Sequence, residues 1–147
     1  IGKIMIVLVK ANVMTVGLNG ENECLQELPI QVISMQSGKK AARSLKNEKI
    51  DSVISKWDLS DMPDGEFLKR LKVAKPKIPT IAIVRAADKQ QEIEARSLGV
   101  SAVLTEDTSD ELFKKTVANV LGLGEKVSIS SISSAEKRSG SYKQITK

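Results

Sequence analysis

Residues 51–71 read Asp51-Ser52-Val53-Ile54-Ser55-Lys56-Trp57-Asp58-Leu59-Ser60-Asp61-Met62-Pro63-Asp64-Gly65-Glu66-Phe67-Leu68-Lys69-Arg70-Leu71. Ser52–Ser55 is a short apolar run with β-branched residues, suited to a parallel strand covered on both faces. A polar loop follows, punctuated by Pro63 and the Asp64-Gly65 pair. From Asp64 to Val73, Phe67, Leu68 and Leu71 share one helical face. The stretch is therefore a strand, a loop and an amphipathic helix in series.

The same alternation extends in both directions. Lys3–Val9, Gln31–Met35, Thr80–Val84 and Val100–Leu104 read as the other strands. Helices are expected over Ser37–Asn47, over Asp88–Leu98 with Gly99 as its stop, and over Thr108–Leu121. The last opens with the capping box Thr108-Ser109-Asp110-Glu111 and should bury Leu112, Phe113, Val117, Val120 and Leu121. Between Val9 and Pro29 the pattern is interrupted by Gly17, Asn19 and Gly20, which leaves room for a short helix around Glu21–Leu28. Five strands alternating with about five helices predict an α/β three-layer sandwich around a doubly wound parallel sheet of order 2-1-3-4-5.

Composition narrows the function classes. Of 147 residues, 41% are hydrophobic and 28% charged, enough for a packed core. No apolar stretch approaches the roughly 20 residues of a membrane-spanning helix. The first residues lack the regions of a signal peptide, so a soluble, cytoplasmic domain is expected. With one cysteine and no histidine, a disulfide framework and the usual zinc sites are excluded. Net charge is +2 over residues 1–121 and +3 over residues 122–147. The chain thus divides into a domain, 1–121, and a Ser-rich tail or linker, 122–147, expected to be flexible. Lys69, Arg70, Lys72, Lys75 and Lys77 form a basic run that reads as a solvated face. With aromatics at 3%, no stacking platform for nucleic acid exists. Cys24 and Met14 read as core, Met62 as an exposed loop residue, and Trp57 as packing over the strand ends.

In an open parallel sheet, ligands bind beyond the carboxyl ends of the strands. No dinucleotide or phosphate-loop glycine motif lies there. The stretch Asp51–Leu71, with Ile78–Val84 and Gly99–Glu106, resembles the third strand, loop and helix and the fourth and fifth strands of response-regulator receiver domains. Such receivers hold Mg²⁺ with an acidic pair after the first strand and a phosphoacceptor Asp after the third. On the strand Lys3–Val9, the acidic-pair positions fall on Leu8 and Val9, or on Val9 and Lys10. The phosphoacceptor position falls on Lys56, or on Trp57 in an ungapped alignment to Asp64-Gly65. Asp58 is the nearest carboxylate. The switch hydroxyl and aromatic correspond to Val84 and Val103, and the family's lysine to Glu106. A hard cation needs oxygen ligands that these residues do not supply, so no metal or cofactor is expected.

The resemblance implies a degenerate receiver, a pseudo-receiver without catalytic residues. It would act independently of phosphorylation as a protein-interaction module in signal transduction, toward a protein partner or a neighbouring output domain. A receiver relative sensing a small molecule or partner by a non-phosphoryl route is the alternative. A flavodoxin-like cofactor-binding domain is the third reading, although Lys10-Ala-Asn-Val-Met does not resemble a flavin-cradling loop. A homodimer would use the fourth helix, fifth strand and fifth helix, within Asp88–Leu98 and Thr108–Leu121. Lys56 and Glu106 have exchanged charges relative to the family, so the ammonium is expected within about 4 Å of a carboxylate, Glu106 first.

Overall fold

The computed structural model describes residues 10–122, apart from the side chains of Glu21 and Asn22. Its sheet has five parallel strands in the order β2-β1-β3-β4-β5. These are β1 (Ala11–Val16), β2 (Ile30–Met35), β3 (Ser52–Lys56), β4 (Thr80–Val84) and β5 (Ala102–Thr105). In register, Val13 lies opposite Val32 and Ser52, Ile54 opposite Ile81, and Ile83 opposite Leu104. Among the described residues, a 3-10 helix and three α-helices connect them and a fourth follows β5: the 3-10 helix Gly20–Glu27, α1 (Gly38–Asn47), α2 (Glu66–Ala74), α3 (Lys89–Leu98) and α4 (Asp110–Leu121).

Period-2 alternation along each strand divides the core into two. Met14, Val16, Val53, Ala82 and Val84 face α1, α2 and α3, where Leu45, Phe67, Leu68 and Ala95 meet them. Val13, Ile54, Ile81, Ile83 and Leu104 face the 3-10 helix and α4, meeting Leu25, Phe113 and Val117. The central strands are covered on both sides, which is why their sequences are apolar without alternation. Side chains cap three helices: Ser37, Asp88 and Ser109 accept from the backbone N–H of Lys40, Gln91 and Leu112.

The structure corrects the first strand. Sheet pairing is made by Ala11–Val16, whereas Lys3–Val9 lies outside the described residues. Two apolar runs stand in tandem there, and tertiary pairing chooses the one that Gly17 terminates. Asn12 pins the start of β1: its N–H donates to Asp51 Oδ2 at 2.7 Å and its Nδ2 to the Lys49 carbonyl at 2.9 Å. Gly17 therefore ends a strand instead of breaking a helix, and only a 3-10 helix fits before Pro29.

Smaller corrections follow from local geometry. The N-cap of α4 is Ser109, so Leu112 occupies the third helical position and no reciprocal box forms. Leu112 is 50% exposed, while Val120 and Leu121 are half-buried. Met62 is buried beneath α1, where a Cβ on Gly38 would lie 2.6 Å from its sulfur. Of the predicted tail, only Gly122 falls within the described residues.

Candidate functional site

The carboxyl ends of β1, β3, β4 and β5 converge at one edge of the sheet. β1 runs out into Gly17 and Leu18. Gly17 N–H donates to the Met35 carbonyl at 2.9 Å, and Leu18 is buried in the core on the α4 side. Leu59, from the loop after β3, sits directly over Gly17: a Cβ added there would lie 2.6 Å from Leu59 Cδ2. Lys10 precedes β1 and so belongs to the opposite edge of the sheet, while Leu8 and Val9 lie outside the described residues.

Lys56 is the last residue of β3, and its Nζ lies 3.7 Å from Glu106 Oε2 beyond the end of β5. The side chains are 26% and 43% exposed, so water screens part of this attraction. Glu106 is set in place by its own backbone, whose N–H donates to the Val84 carbonyl at 2.9 Å. Val84 is buried, and Val103 is half-buried against the core on the α1–α3 side.

Trp57 turns the other way and is wholly buried among the side chains of the α1–α3 layer. Its indole lies against the backbone of Gly65, where a Cβ would meet Cζ2 at 2.2 Å. Gly65 has φ +75°, and its N–H donates to the Trp57 carbonyl at 2.9 Å. The Lys69 ammonium stands 5.7 Å from the ring centroid, within cation–π range. Of the two phosphoacceptor positions considered, only Lys56 therefore reaches toward the end of β5.

Asp58 joins three segments. One carboxylate oxygen accepts from Asp64 N–H at 2.7 Å; the other accepts from Arg85 Nη2 at 2.5 Å and Gln91 Nε2 at 2.8 Å. Gln91 is buried, and its Oε1 accepts in turn from Arg85 N–H at 3.0 Å. The loops after β3 and β4 and the start of α3 thus close on one carboxylate. Asp61 acts similarly on α1, accepting from the N–H groups of Gly38 at 3.0 Å and Lys39 at 2.9 Å. Those two backbone bonds hold its pKa below the ordinary aspartate range. The sequence places Asp58 and Arg85 just after β3 and β4 without pairing them, and it leaves out Gln91 and Asp61. The available signal was sheet order, which sets the loops after β3 and β4 side by side.

The residues do not fit a divalent cation. Such an ion prefers several oxygen ligands, but this corner holds a glycine, a leucine over it and an ammonium. Asp58 has both oxygens committed to hydrogen bonds. Among the described residues, no group of three or more acidic or sulfur side chains could hold a metal. None of the described helices is long and apolar enough to cross a membrane.

On the far side, Lys114 Nζ of α4 pairs with Glu27 of the 3-10 helix at 2.7 Å and with Glu111 at 3.1 Å. The two carboxylates raise its pKa above the usual lysine range. Burial raises the thiol pKa of Cys24 nearby.

The family model described as "Response regulator receiver domain" matches residues 16–118. The fold is similar to that of an uncharacterised protein from Neptuniibacter caesariensis, at 26% identity and TM-score 0.70, covering 89% of this chain and 97% of that one. It is also similar to the signal receiver domain of an HD domain-containing protein from Pseudomonas fluorescens Pf-5, at 18% identity and TM-score 0.70 over 80% and 99% of the two chains. A chemotaxis response regulator of Vibrio cholerae matches at 19% identity and TM-score 0.67, over 76% and 99%. No curated protein matches the chain.

Proposed function

The chain belongs to the response regulator receiver domain family, and from that premise we propose that it is a pseudo-receiver, a signalling module that works by binding proteins and without phosphoryl transfer. The observation that carries this reading is the Lys56–Glu106 ion pair at 3.7 Å. It stands between the ends of β3 and β5, where the family's phosphoacceptor and its lysine would face one another with the charges reversed. An ammonium cannot form an acyl phosphate, and the packing of Leu59 on Gly17 supports the same reading from the metal side. Val84 and Val103 carry neither the hydroxyl nor the aromatic ring that would couple a phosphoryl group to a change of surface. The module catalyses no reaction of its own and takes no cofactor. Its partner is a protein or a neighbouring output domain.

The face formed by α3, β5 and α4 is the family's usual pairing surface, and we assign any homodimer to it. Ile93 on α3 and Leu112 on α4 are 57% and 50% exposed. Without a switch, such a dimer is constitutive, and sedimentation showing a strict monomer at high concentration removes it.

The principal test is exposure to Mg²⁺ with acetyl phosphate or beryllofluoride. The expected result is no change in Trp57 fluorescence or in the amide spectrum. A saturable response centred on Asp58 overturns the reading.

A further inference from the structure

Charge is unevenly divided over the described residues. Residues 38–77 hold eleven basic and six acidic side chains; residues 10–37 hold one and three, and residues 78–122 five and seven. The basic excess therefore sits on the segment containing α1 and α2. Between those two helices lies an apolar cleft of about 140 Å³. Its floor is Leu45, Met62, Phe67 and Leu71, each no more than 6% exposed. Gly38 packs against Met62, so this floor is backed by helix and is not a loose surface. Lys46, Arg70 and Lys75 stand at the rim. Arg70 pairs with Glu66, whereas Lys46 and Lys75 have no ion-pair partner among the described residues.

We propose that this cleft is a docking groove for an acidic peptide segment of a partner protein, which inserts one large apolar side chain between α1 and α2. The inference rests on the interaction-module reading above and names the surface and the partner chemistry for it. Size supports the insertion: a hydrocarbon-lined cavity of about 150 Å³ accepts a benzene ring, so a Phe or Leu side chain is of the right order. Charge selects the rest of the segment, because two unpaired lysines beside an apolar hole favour carboxylates flanking the anchor. The chain's own residues 122–147 carry +3 and are repelled. A symmetric second copy would set two basic rims face to face. A bilayer is a poor match, since membrane-binding faces insert protruding apolar groups and these are recessed.

The test uses the full 147-residue chain and synthetic dodecapeptides of Glu and Asp with one central Phe, followed by fluorescence anisotropy and amide shifts. Saturable binding is expected, with shifts confined to residues 39–46 and 62–75 and with affinity falling as salt is raised. Replacing the peptide's Phe by Ala should weaken binding about tenfold or more, the scale of burying one large apolar side chain. Lys46→Glu with Lys75→Glu reverses the two lysine charges of the rim on exposed sites, and Ala42→Leu fills the cleft from α1. Each should also weaken binding about tenfold or more. Lys89→Glu with Lys115→Glu, on other helices, should leave it unchanged.

No binding at millimolar peptide, equal binding of a Lys-rich peptide, or shifts centred elsewhere overturns the proposal. Co-sedimentation with phosphatidylserine vesicles that Ala42→Leu abolishes assigns the groove to a membrane and overturns it. Self-association abolished by the rim reversal assigns it to a second copy, with the same consequence. Phosphodonor response is read near Asp58 and peptide binding near Lys46 and Lys75, so the two readings fail separately.

Discussion

Gly65→Ala should be the most damaging single-methyl change in the domain, because two independent costs fall on one atom. The backbone has φ +75°, a left-handed conformation that costs an L-residue roughly 1–2 kcal/mol. The new Cβ also lies 2.2 Å from Trp57 Cζ2 and 2.4 Å from Cε2, far inside van der Waals contact. Trp57 is wholly buried and cannot swing into solvent, so the overlap must displace packed core, which costs about 1–3 kcal/mol. Together they predict a loss of about 2–5 kcal/mol, or roughly 10–20 °C in Tm for a domain of this size. Trp57 is the only tryptophan in the chain, so urea melts followed by its fluorescence report on the perturbed contact itself. Gly99→Ala separates the two costs: its φ is +90°, but the nearest atom is Lys72 Cε at 3.6 Å. It should lose only the backbone share. Equal losses in the two variants, or a Gly65→Ala loss below about 0.5 kcal/mol, would refute the account of how Trp57 is seated.

Asp58→Ala removes the acceptor shared by Asp64, Arg85 and buried Gln91, and should cost about 1.5–3 kcal/mol. Hydrogen exchange should quicken at the Asp64 and Arg85 amides, and unchanged protection there counts against the hub. The pair Lys56→Met and Glu106→Gln, taken through a double-mutant cycle, should give a coupling of about 0–1 kcal/mol, because both groups are partly in water. A coupling above about 2 kcal/mol would mean a drier pair than the exposures describe. For Asp61 the folded-state pKa is depressed, so its stabilisation is complete above the unfolded value and disappears as pH falls through the lowered folded value. Asp61→Asn should therefore lower the urea midpoint at pH 7 and flatten its decline below about pH 4; parallel curves for both proteins would contradict this.

How far the sequence reached is visible in particular residues. β4 is Thr80–Val84 to the residue, because a β-branched run between Pro79 and Arg85 has sharp ends. Ser37 and Asp88 cap α1 and α3 at the expected helix starts, since capping is a local matter of one side chain and one N–H. β1 was misplaced, because hydrophobicity cannot choose between Lys3–Val9 and Ala11–Val16. That choice is made by β2 and β3, which pair with the second run. Lys56 ends β3 and Glu106 directly follows β5, so strand order alone brings the two positions to the same edge of the sheet. The pairing of Asp58 with Arg85 and Gln91 was not legible, since it depends on the loops after β3 and β4 meeting, the latter turning through an Ala87 with φ +69°. Met62 was taken for a loop residue in water; its burial depends on the gap that Gly38 leaves in α1.

The leucine lying over Gly17 also limits what residue 17 can become. Introducing aspartate at residue 17 meets Leu59 Cδ2 at 2.6 Å before it can meet any ion. Shortening Leu59 first opens a hole beneath a side chain that is 5% exposed, which for a buried Leu→Ala change costs about 2–5 kcal/mol. Either single step lowers stability, and only the two together restore a filled corner. A route by single substitutions from this chain to one with a carboxylate at the end of β1 thus passes through a less stable intermediate whichever step comes first. Packing over the glycine ties residues 17 and 59 together, so that neither changes freely without the other.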